Sequence, residues 1–155
     1  MPTRSFRIGR SYTGLGMFAT RPIKREAYIA TYRGPVISGE EADRREARGA
    51  SYLFYLNKKE TIDGSPRYNV ARYINHSCKP NARSVGRNGG IVIVADCRIE
   101  PGEEITYDYG EDYLEYFKEA GGCRCTTCRR RRARRRKSRK KATQRKGTAT
   151  ALQLK

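Results

Sequence analysis

The chain has 155 residues, a length typical of one domain, and a formal net charge of +18 at neutral pH. No apolar run approaches the roughly 20 residues that a membrane-spanning helix needs, and the N-terminus lacks the apolar core of a signal peptide. We therefore expect a soluble intracellular protein. The sequence leaves open whether it resides in a nucleoid, the cytoplasm or a nucleus.

Short apolar or alternating segments, separated by Gly, Pro and Asn, predict a mostly β domain with few short helices. The candidate strands, in chain order, are residues 6–8, 17–19, 27–32, 52–56, 90–95 and 104–107. Residues 90–95 form a continuous apolar run rich in β-branched side chains. We expect this segment to be the most buried strand.

Two segments predict helices. Ser38 stands three residues before Glu41 in a capping-box pattern, and the charged segment that follows ends before Gly49, a residue that commonly stops helices. A second short helix is predicted over residues 112–120, before a pair of glycines.

The composition changes abruptly at residue 129. The chain from there on holds 14 of the 34 Lys and Arg residues and none of the 16 acidic ones. Such a block of like charge is predicted to be disordered when free. Nucleic acid is favoured as its partner over an anionic membrane, because this tail has no apolar face to insert. A role limited to solubility or targeting is the alternative.

Three cysteines immediately before the tail predict a zinc site rather than disulfides in a reducing compartment: Cys123, Cys125 and Cys128. A closed tetrahedral site needs a fourth ligand, for which Cys78, Cys97 and His76 are the candidates. Cys97 follows the apolar strand and is expected to pack as a small apolar residue. Cys78 lies in a polar turn, which favours it as the ligand.

Three polar segments contain more Gly, Asn, His and Tyr than a β core needs. In residues 12–19, paired glycines allow a ligand close to the backbone, although a simple turn is the more common explanation. In residues 72–78, Asn75 and His76 can bind the edge of a base, although a lone histidine is more often structural. In residues 101–110, Tyr107 and Tyr109 share one face of a strand, where packing is the ordinary explanation.

Taken together and in this order, these segments resemble the SET-domain protein-lysine methyltransferases with a post-SET zinc motif. The resemblance covers about residues 5–129. It rests on Arg-Tyr-Ile-Asn-His-Ser-Cys-Lys-Pro-Asn at 72–81 and Gly-Glu-Glu-Ile-Thr-Tyr-Asp-Tyr-Gly at 102–110, with further matches at 51–54 and 62–64. The chain is similar to the compact single-domain members found in bacteria.

The resemblance implies a SET fold of several small curled β-sheets, in which the two long motifs cross in a knot-like substructure. It implies a SET domain at residues 1–118, a post-SET zinc segment at 119–130 and a basic tail at 131–155. The implied cofactors are S-adenosyl-L-methionine and one structural Zn²⁺. The implied cofactor-binding residues are Gly14, Leu15, Gly16, Tyr52, Arg72, Asn75, His76 and Tyr109.

The same resemblance assigns the chemistry. Tyr109 corresponds to the catalytic tyrosine that orients the reacting groups. Tyr107 corresponds to a position that carries Tyr or Phe in the family, and a hydroxyl there is expected to favour monomethylation. Cys78 is implied as the fourth zinc ligand. One departure is that only two residues separate Cys125 from Cys128, fewer than in many relatives, so the path of this segment is left open.

The expected substrate is a basic protein such as a histone or a histone-like protein, with the tail contacting DNA or a nucleosome. The lysine-rich tail is itself a candidate for self-methylation. An acidic patch after the last motif is expected to receive a basic peptide; its members are Glu111, Asp112, Glu115 and Glu119. The alternative is a catalytically silent, zinc-clipped module that binds nucleic acid or chromatin.

Overall fold

The structure, a computed structural model, describes residues 4–111, 115 and 122–152, with side chains described as far as residue 141. The chain divides into two compact units, Met1–Asp108 and Tyr109–Lys155. Apart from residue 115, the predicted helix at 112–120 lies outside the described residues. No helix in the described part of the chain is long and apolar enough to cross a membrane.

The first unit is built from short strands, one helix and a 3₁₀ turn at Val70–Tyr73, which confirms the mostly β prediction. In chain order the elements are β1 Phe6–Ser11, β2 Gly14–Ala19, β3 Tyr28–Tyr32, β4 Val36–Ser38, α1 Gly39–Ala47, β5 Leu53–Tyr55, β6 Glu60–Asp63, β7 Asn75–His76, β8 Ala82–Arg87, β9 Gly90–Ala95 and β10 Glu104–Tyr107. All six predicted strands are present. The sequence did not predict β4, β6, β7 or β8.

The described strands form three small sheets, ordered β1-β2-β10-β7, β3-β9-β8 and β4-β6-β5. Their pairings are antiparallel except that of β7 with β10, which is parallel and aligns Asn75 with Thr106 and His76 with Tyr107. This pairing brings the two long sequence motifs together in the first sheet. The arrangement of several small sheets agrees with the prediction.

The core draws residues from all three sheets, including Met17, Ile93 and Ile62. Its largest fully buried apolar side chains are Met17, Ile74, Ile93, Ile99 and Ile105. Strand β9 has no exposed residue, but only every second side chain is fully buried, whereas β6 buries three of its four residues. The prediction that β9 is the most buried strand therefore holds only for the face that carries Ile91, Ile93 and Ala95.

Helix α1 starts and ends as predicted. The Ser38 hydroxyl accepts a hydrogen bond from the Glu41 N–H at 3.3 Å, and Arg48 follows as the C-terminal cap. The Glu41 carboxylate does not return to the cap, because it accepts hydrogen bonds from Arg44 and Arg45 instead. Only the first half of the capping box is therefore formed.

Among its described residues, the second unit has a long helix, α2, at Thr126–Leu152. This differs from the expectation of a disordered tail from residue 131. Arg, Lys, Ala and Gln all have high helix propensity, and no proline interrupts this segment. The expectation of disorder rested on the repulsion between like charges, which this propensity opposes.

Thr61 in β6 allows a test of how much a buried, unpaired hydroxyl lowers the stability of the fold. Its side chain is fully buried, and its hydroxyl has no hydrogen-bond partner among the described residues. A buried hydroxyl without a partner costs about 1–3 kcal/mol. We expect Thr61→Val to raise the free energy of unfolding by about 1 kcal/mol in a urea titration.

Asn69 is the matched control, since it is equally buried but fully paired. Its amide accepts a hydrogen bond from the Arg33 N–H and donates one to the Gly64 carbonyl, both at 3.0 Å. Asn69→Leu should lower the free energy of unfolding by about 2 kcal/mol or more, because it leaves two backbone groups unpaired. A loss of stability in Thr61→Val comparable to that in Asn69→Leu would contradict this account.

Candidate active site

Asn75 connects three strands of the first sheet. Its Nδ2 donates to the Leu15 carbonyl at 3.0 Å and to the Glu104 carboxylate at 2.7 Å. Strand β2 therefore meets the Asn-His motif at its paired glycines. The two segments that the sequence assigned to one cofactor are adjacent in the structure.

Gly16 is required by this close approach. A Cβ at Gly16 would lie 2.5 Å from a Glu104 carboxylate oxygen, 2.9 Å from the Ser11 Cβ and 3.1 Å from the Asn75 amide nitrogen. Gly14 has a different role: its φ is +117°, and a Cβ there would meet no atom within 4 Å. The backbone at Gly14 is thus open to a ligand, whereas Gly16 allows the strands to meet.

His76 is held in place by two neighbours. Its side chain is only 7% exposed, its Nδ1 lies 3.6 Å from the Asp108 carboxylate, and its Nε2 lies 3.3 Å from the Cys78 sulfur. Burial lowers the pKa of His76 below its usual value, and the Asp108 charge opposes this shift. His76 therefore links the polar motif to a predicted metal ligand.

Asn81 fixes the other end of the same motif. Its Nδ2 donates to the Glu104 carbonyl, and its Oδ1 accepts from the Thr106 N–H, both at 2.9 Å. These bonds replace part of the ladder that a longer strand would provide for β10. From the sequence, Asn81 is only the last residue of the motif, and this role depends on tertiary contacts.

Tyr107 lies at the end of β10 in an aromatic cluster. It is 5% exposed, its ring stacks on Phe54 with centroids 6.4 Å apart, and Phe54 contacts Tyr32 at 5.2 Å. The prediction that Tyr107 packs against other side chains is correct. An apolar surrounding of this kind disfavours a charged group placed next to it.

Tyr52 and Arg72 form a second, half-exposed pair. The Arg72 guanidinium lies 4.0 Å above the Tyr52 ring and donates a hydrogen bond to the Ser65 carbonyl. Tyr52 has a φ of +69°, an uncommon backbone conformation for tyrosine. Its carbonyl is held at 2.8 Å by both the Gly64 N–H and the Tyr32 hydroxyl.

The Tyr52 backbone is in turn supported by a buried carboxylate that sequence analysis did not single out. Asp63 accepts hydrogen bonds from the Ser65 backbone and hydroxyl and forms an ion pair with Arg45 of α1. Burial pushes the pKa of Asp63 upward, but the bonds from Ser65 and the Arg45 charge outweigh it and hold the pKa below its usual value. A charged Asp63 therefore ties α1 to the turn beside Tyr52.

Tyr109 belongs to the second unit and is half-buried, two residues beyond the end of β10. Its predicted role as the catalytic tyrosine stays a prediction. Of the predicted acidic patch, Glu111 and Glu115 are exposed. The other two members, Asp112 and Glu119, lie outside the described residues.

The cysteines form a candidate metal centre. The sulfur atoms of Cys78, Cys123, Cys125 and Cys128 all lie within 4.8 Å of one another. A tetrahedral zinc with bonds of about 2.3 Å to sulfur requires sulfur atoms about 3.8 Å apart, so a set of four sulfur atoms within 4.8 Å of one another could hold the ion. The four cysteines match the predicted ligands.

Cys97 is the fifth cysteine and lies outside this group. It is exposed, so the expectation that it packs as a small apolar residue was wrong. Cys97 comes after the end of β9, in the bend that leaves the strand, where its side chain is no longer constrained to the apolar face.

Comparisons with known proteins agree with this architecture. The profile of the SET domain matches residues 14–110. Human "Histone-lysine N-methyltransferase 2D" is 35% identical over 127 residues, which cover 75% of this chain and 2% of that protein. The Schizosaccharomyces pombe "Histone-lysine N-methyltransferase, H3 lysine-4 specific" is 39% identical over 129 residues, covering 74% of this chain and 14% of that protein.

A third relative, the Drosophila melanogaster "Histone-lysine N-methyltransferase Set2", is 38% identical over 140 residues, covering 83% of this chain and 6% of that protein. The chain thus spans 2–14% of the length of these three relatives. The matched segment exceeds half of the chain and includes the glycine pair and both long motifs. The chain therefore belongs to the SET domain family.

Proposed function

We propose that this protein is a protein-lysine N-methyltransferase that uses S-adenosyl-L-methionine. The single observation that carries the proposal is the contact of Asn75 with the Leu15 carbonyl, beside the open backbone of Gly14. It joins two of the family's motif segments at one place in the first sheet. The names of the relatives, all histone-lysine methyltransferases, support the same reaction.

The residues suit this cofactor. Leu15 is half exposed, and Gly14 leaves space beside its backbone, so both can contact the methionine part. Asn75 and His76 are proposed to hold the adenine through polar groups, with Tyr52, Arg72 and Tyr109 lining the same region. When bound, the cofactor supplies a methyl group on a positively charged sulfur.

The substrate amine must lose its proton before it can accept a methyl group. A free lysine has a pKa of about 10.4. The buried rings of Tyr107 and Tyr32 and the half-buried ring of Phe54 provide an apolar surface that disfavours an ammonium group. We propose that this surface lines the lysine channel and helps to hold the amine in its neutral form.

Alignment is the remaining requirement, and holding two reactants in the right geometry can supply roughly 7–11 kcal/mol. Tyr109 is proposed to orient the amine with its hydroxyl. A tyrosine has a reference pKa of about 10, so we assign Tyr109 no role as a strong base.

Zinc is proposed to have a structural role. Four thiolate ligands close a tetrahedral site and leave no position for a substrate, which is typical of structural zinc. Metal affinity of this kind contributes directly to folding.

The proposed substrate is a histone or another basic protein. Glu111 and Glu115 are exposed and can attract basic residues. We also propose that the basic helix α2 holds the protein near DNA, which would raise the local concentration of a chromatin substrate.

Tyr109→Phe tests the catalytic assignment. We expect the rate of methyl transfer to a basic protein to fall at least about 100-fold, because the amine loses its orienting hydroxyl, while cofactor binding by calorimetry persists. Tyr68→Phe is the control, since Tyr68 is 65% exposed. Absence of saturable cofactor binding in the zinc-replete unmutated protein would refute the proposal and favour a catalytically silent module.

Tyr107→Phe tests the degree of methylation. A hydroxyl at this position leaves less room for an already methylated nitrogen, so the unmutated enzyme should yield mainly monomethyl-lysine. The variant should add di- and trimethyl-lysine, measured by mass spectrometry of the product protein. Abundant trimethyl-lysine from the unmutated enzyme would contradict this prediction.

Gly16→Ala tests the contact between the motifs. The added methyl group cannot fit between Glu104 and Asn75, so we expect a cofactor affinity at least about tenfold weaker and a lower melting temperature. Gly86→Ala is the matched control, because a Cβ there meets no atom within 4 Å and its φ is ordinary. Equal effects of the two substitutions would show that the close approach at Gly16 has no role in binding.

A further inference from the structure

Helix α2 begins inside the cysteine segment. The Cys128 N–H donates to the Cys125 sulfur at 3.5 Å, and the Arg129 N–H donates to the Cys125 carbonyl at 3.0 Å. Arg132, one turn further along, donates from Nη2 to the Cys123 carbonyl at 2.6 Å. The first two turns of the helix are thus bound to the residues that form the candidate metal centre.

One face of α2 carries a row of arginines at helical spacing. Arg132, Arg135, Arg136 and Arg139 recur at positions i, i+3, i+4 and i+7 and together line a groove. Residues 130–141 are all exposed, and no acidic residue follows position 119 in the sequence. We call these four residues the arginine face.

The chemistry of this face indicates its ligand. Guanidinium groups donate two parallel hydrogen bonds to phosphate oxygens, and four of them along a groove suit a row of phosphates. The helix carries no apolar stripe, which disfavours insertion into a membrane. Its 27 residues extend about 40 Å, and the DNA major groove, about 12 Å wide, admits an α-helix with phosphates on both sides.

We propose that α2 is a DNA-binding helix whose arginine face makes the main phosphate contacts and whose position depends on the zinc centre. This deepens the DNA contact of the proposed function without depending on methyl transfer. Isolated helices are marginal in water because the first turn is costly to form. Metal binding at Cys123, Cys125 and Cys128 would hold that first turn, since Cys128 belongs to it.

The experiment measures binding of the full-length, zinc-replete protein to a fluorescent 20-base-pair DNA duplex by anisotropy at several salt concentrations. The test variant is Arg135→Gln/Arg136→Gln/Arg139→Gln. The control is Arg130→Gln/Arg134→Gln/Lys141→Gln, which removes the same charge from the opposite side of the same helix. Circular dichroism checks that both variants keep their helix, since Gln is a good helix former.

We expect the test variant to lose at least about tenfold more affinity than the control, with the slope of log K against log salt reduced by about 2–3. Equal losses in both variants would overturn the arginine face and leave only diffuse attraction. Equal binding to single-stranded RNA or to anionic lipid vesicles would overturn the assignment to duplex DNA.

Zinc removal tests the proposed dependence of α2 on the zinc centre. Stripping the metal with a chelator should lower the helix signal in circular dichroism and weaken DNA binding at least about fivefold, and added zinc should restore both. Unchanged DNA affinity in the metal-free protein would refute the dependence on zinc. Methyl transfer to a free basic peptide is measured without DNA in the same preparations, so its failure would count against the proposed enzyme activity alone.

Discussion

The parallel pairing of β7 with β10 is the constraint on which the candidate site depends. Strand β7 has only two residues, so its backbone bonds cannot hold the pair alone. The Ser77 N–H donates a further hydrogen bond to the Tyr107 carbonyl at 3.1 Å. After the turn that follows β7, the side chain of Asn81 forms two more hydrogen bonds with the backbone of β10. Because β10 also pairs with β2, the same contacts bring Asn75 to the glycine pair.

The need of buried polar groups for hydrogen-bond partners, rather than apolar packing, determines the shape of this region. The Asn75 amide has two acceptors, the Leu15 carbonyl and the Glu104 carboxylate, and loss of either would leave a partly buried donor without a partner. Only a residue without a Cβ can stand beside that amide, which explains Gly16. Asp63, at the end of β6, is also a buried polar group with partners. Its hydrogen bond from Ser65 and its ion pair with Arg45 compensate the cost of burying its charge.

Patterns of neighbouring residues predicted the strands and the helix that depend on interactions between residues close in sequence. Short apolar or alternating segments identified β3, β9 and β10, and a capping pattern identified α1. Strand β6 was not predicted, because its buried face carries the polar residues Thr61 and Asp63 and therefore shows no hydrophobic pattern. Strand β7 was not predicted, because a strand of two residues is too short to show an apolar alternation and pairs only through tertiary contacts. The candidate site residues were assigned through motif resemblance, whereas the supporting roles of Glu104, Asn81 and Arg45 required distances.

The tail shows two local effects in opposition. Like charges four residues apart destabilise a helix by a few tenths of a kcal/mol per pair, whereas Arg, Lys, Ala and Gln favour helix by intrinsic propensity. Starting the helix is the costly step, and here hydrogen bonds from Cys128, Arg129 and Arg132 to the cysteine segment hold its first turns. Propagation beyond them meets only the repulsion between arginines. A polyanion would neutralise that repulsion, so the same charges that disfavour the free helix would stabilise it when bound to phosphates.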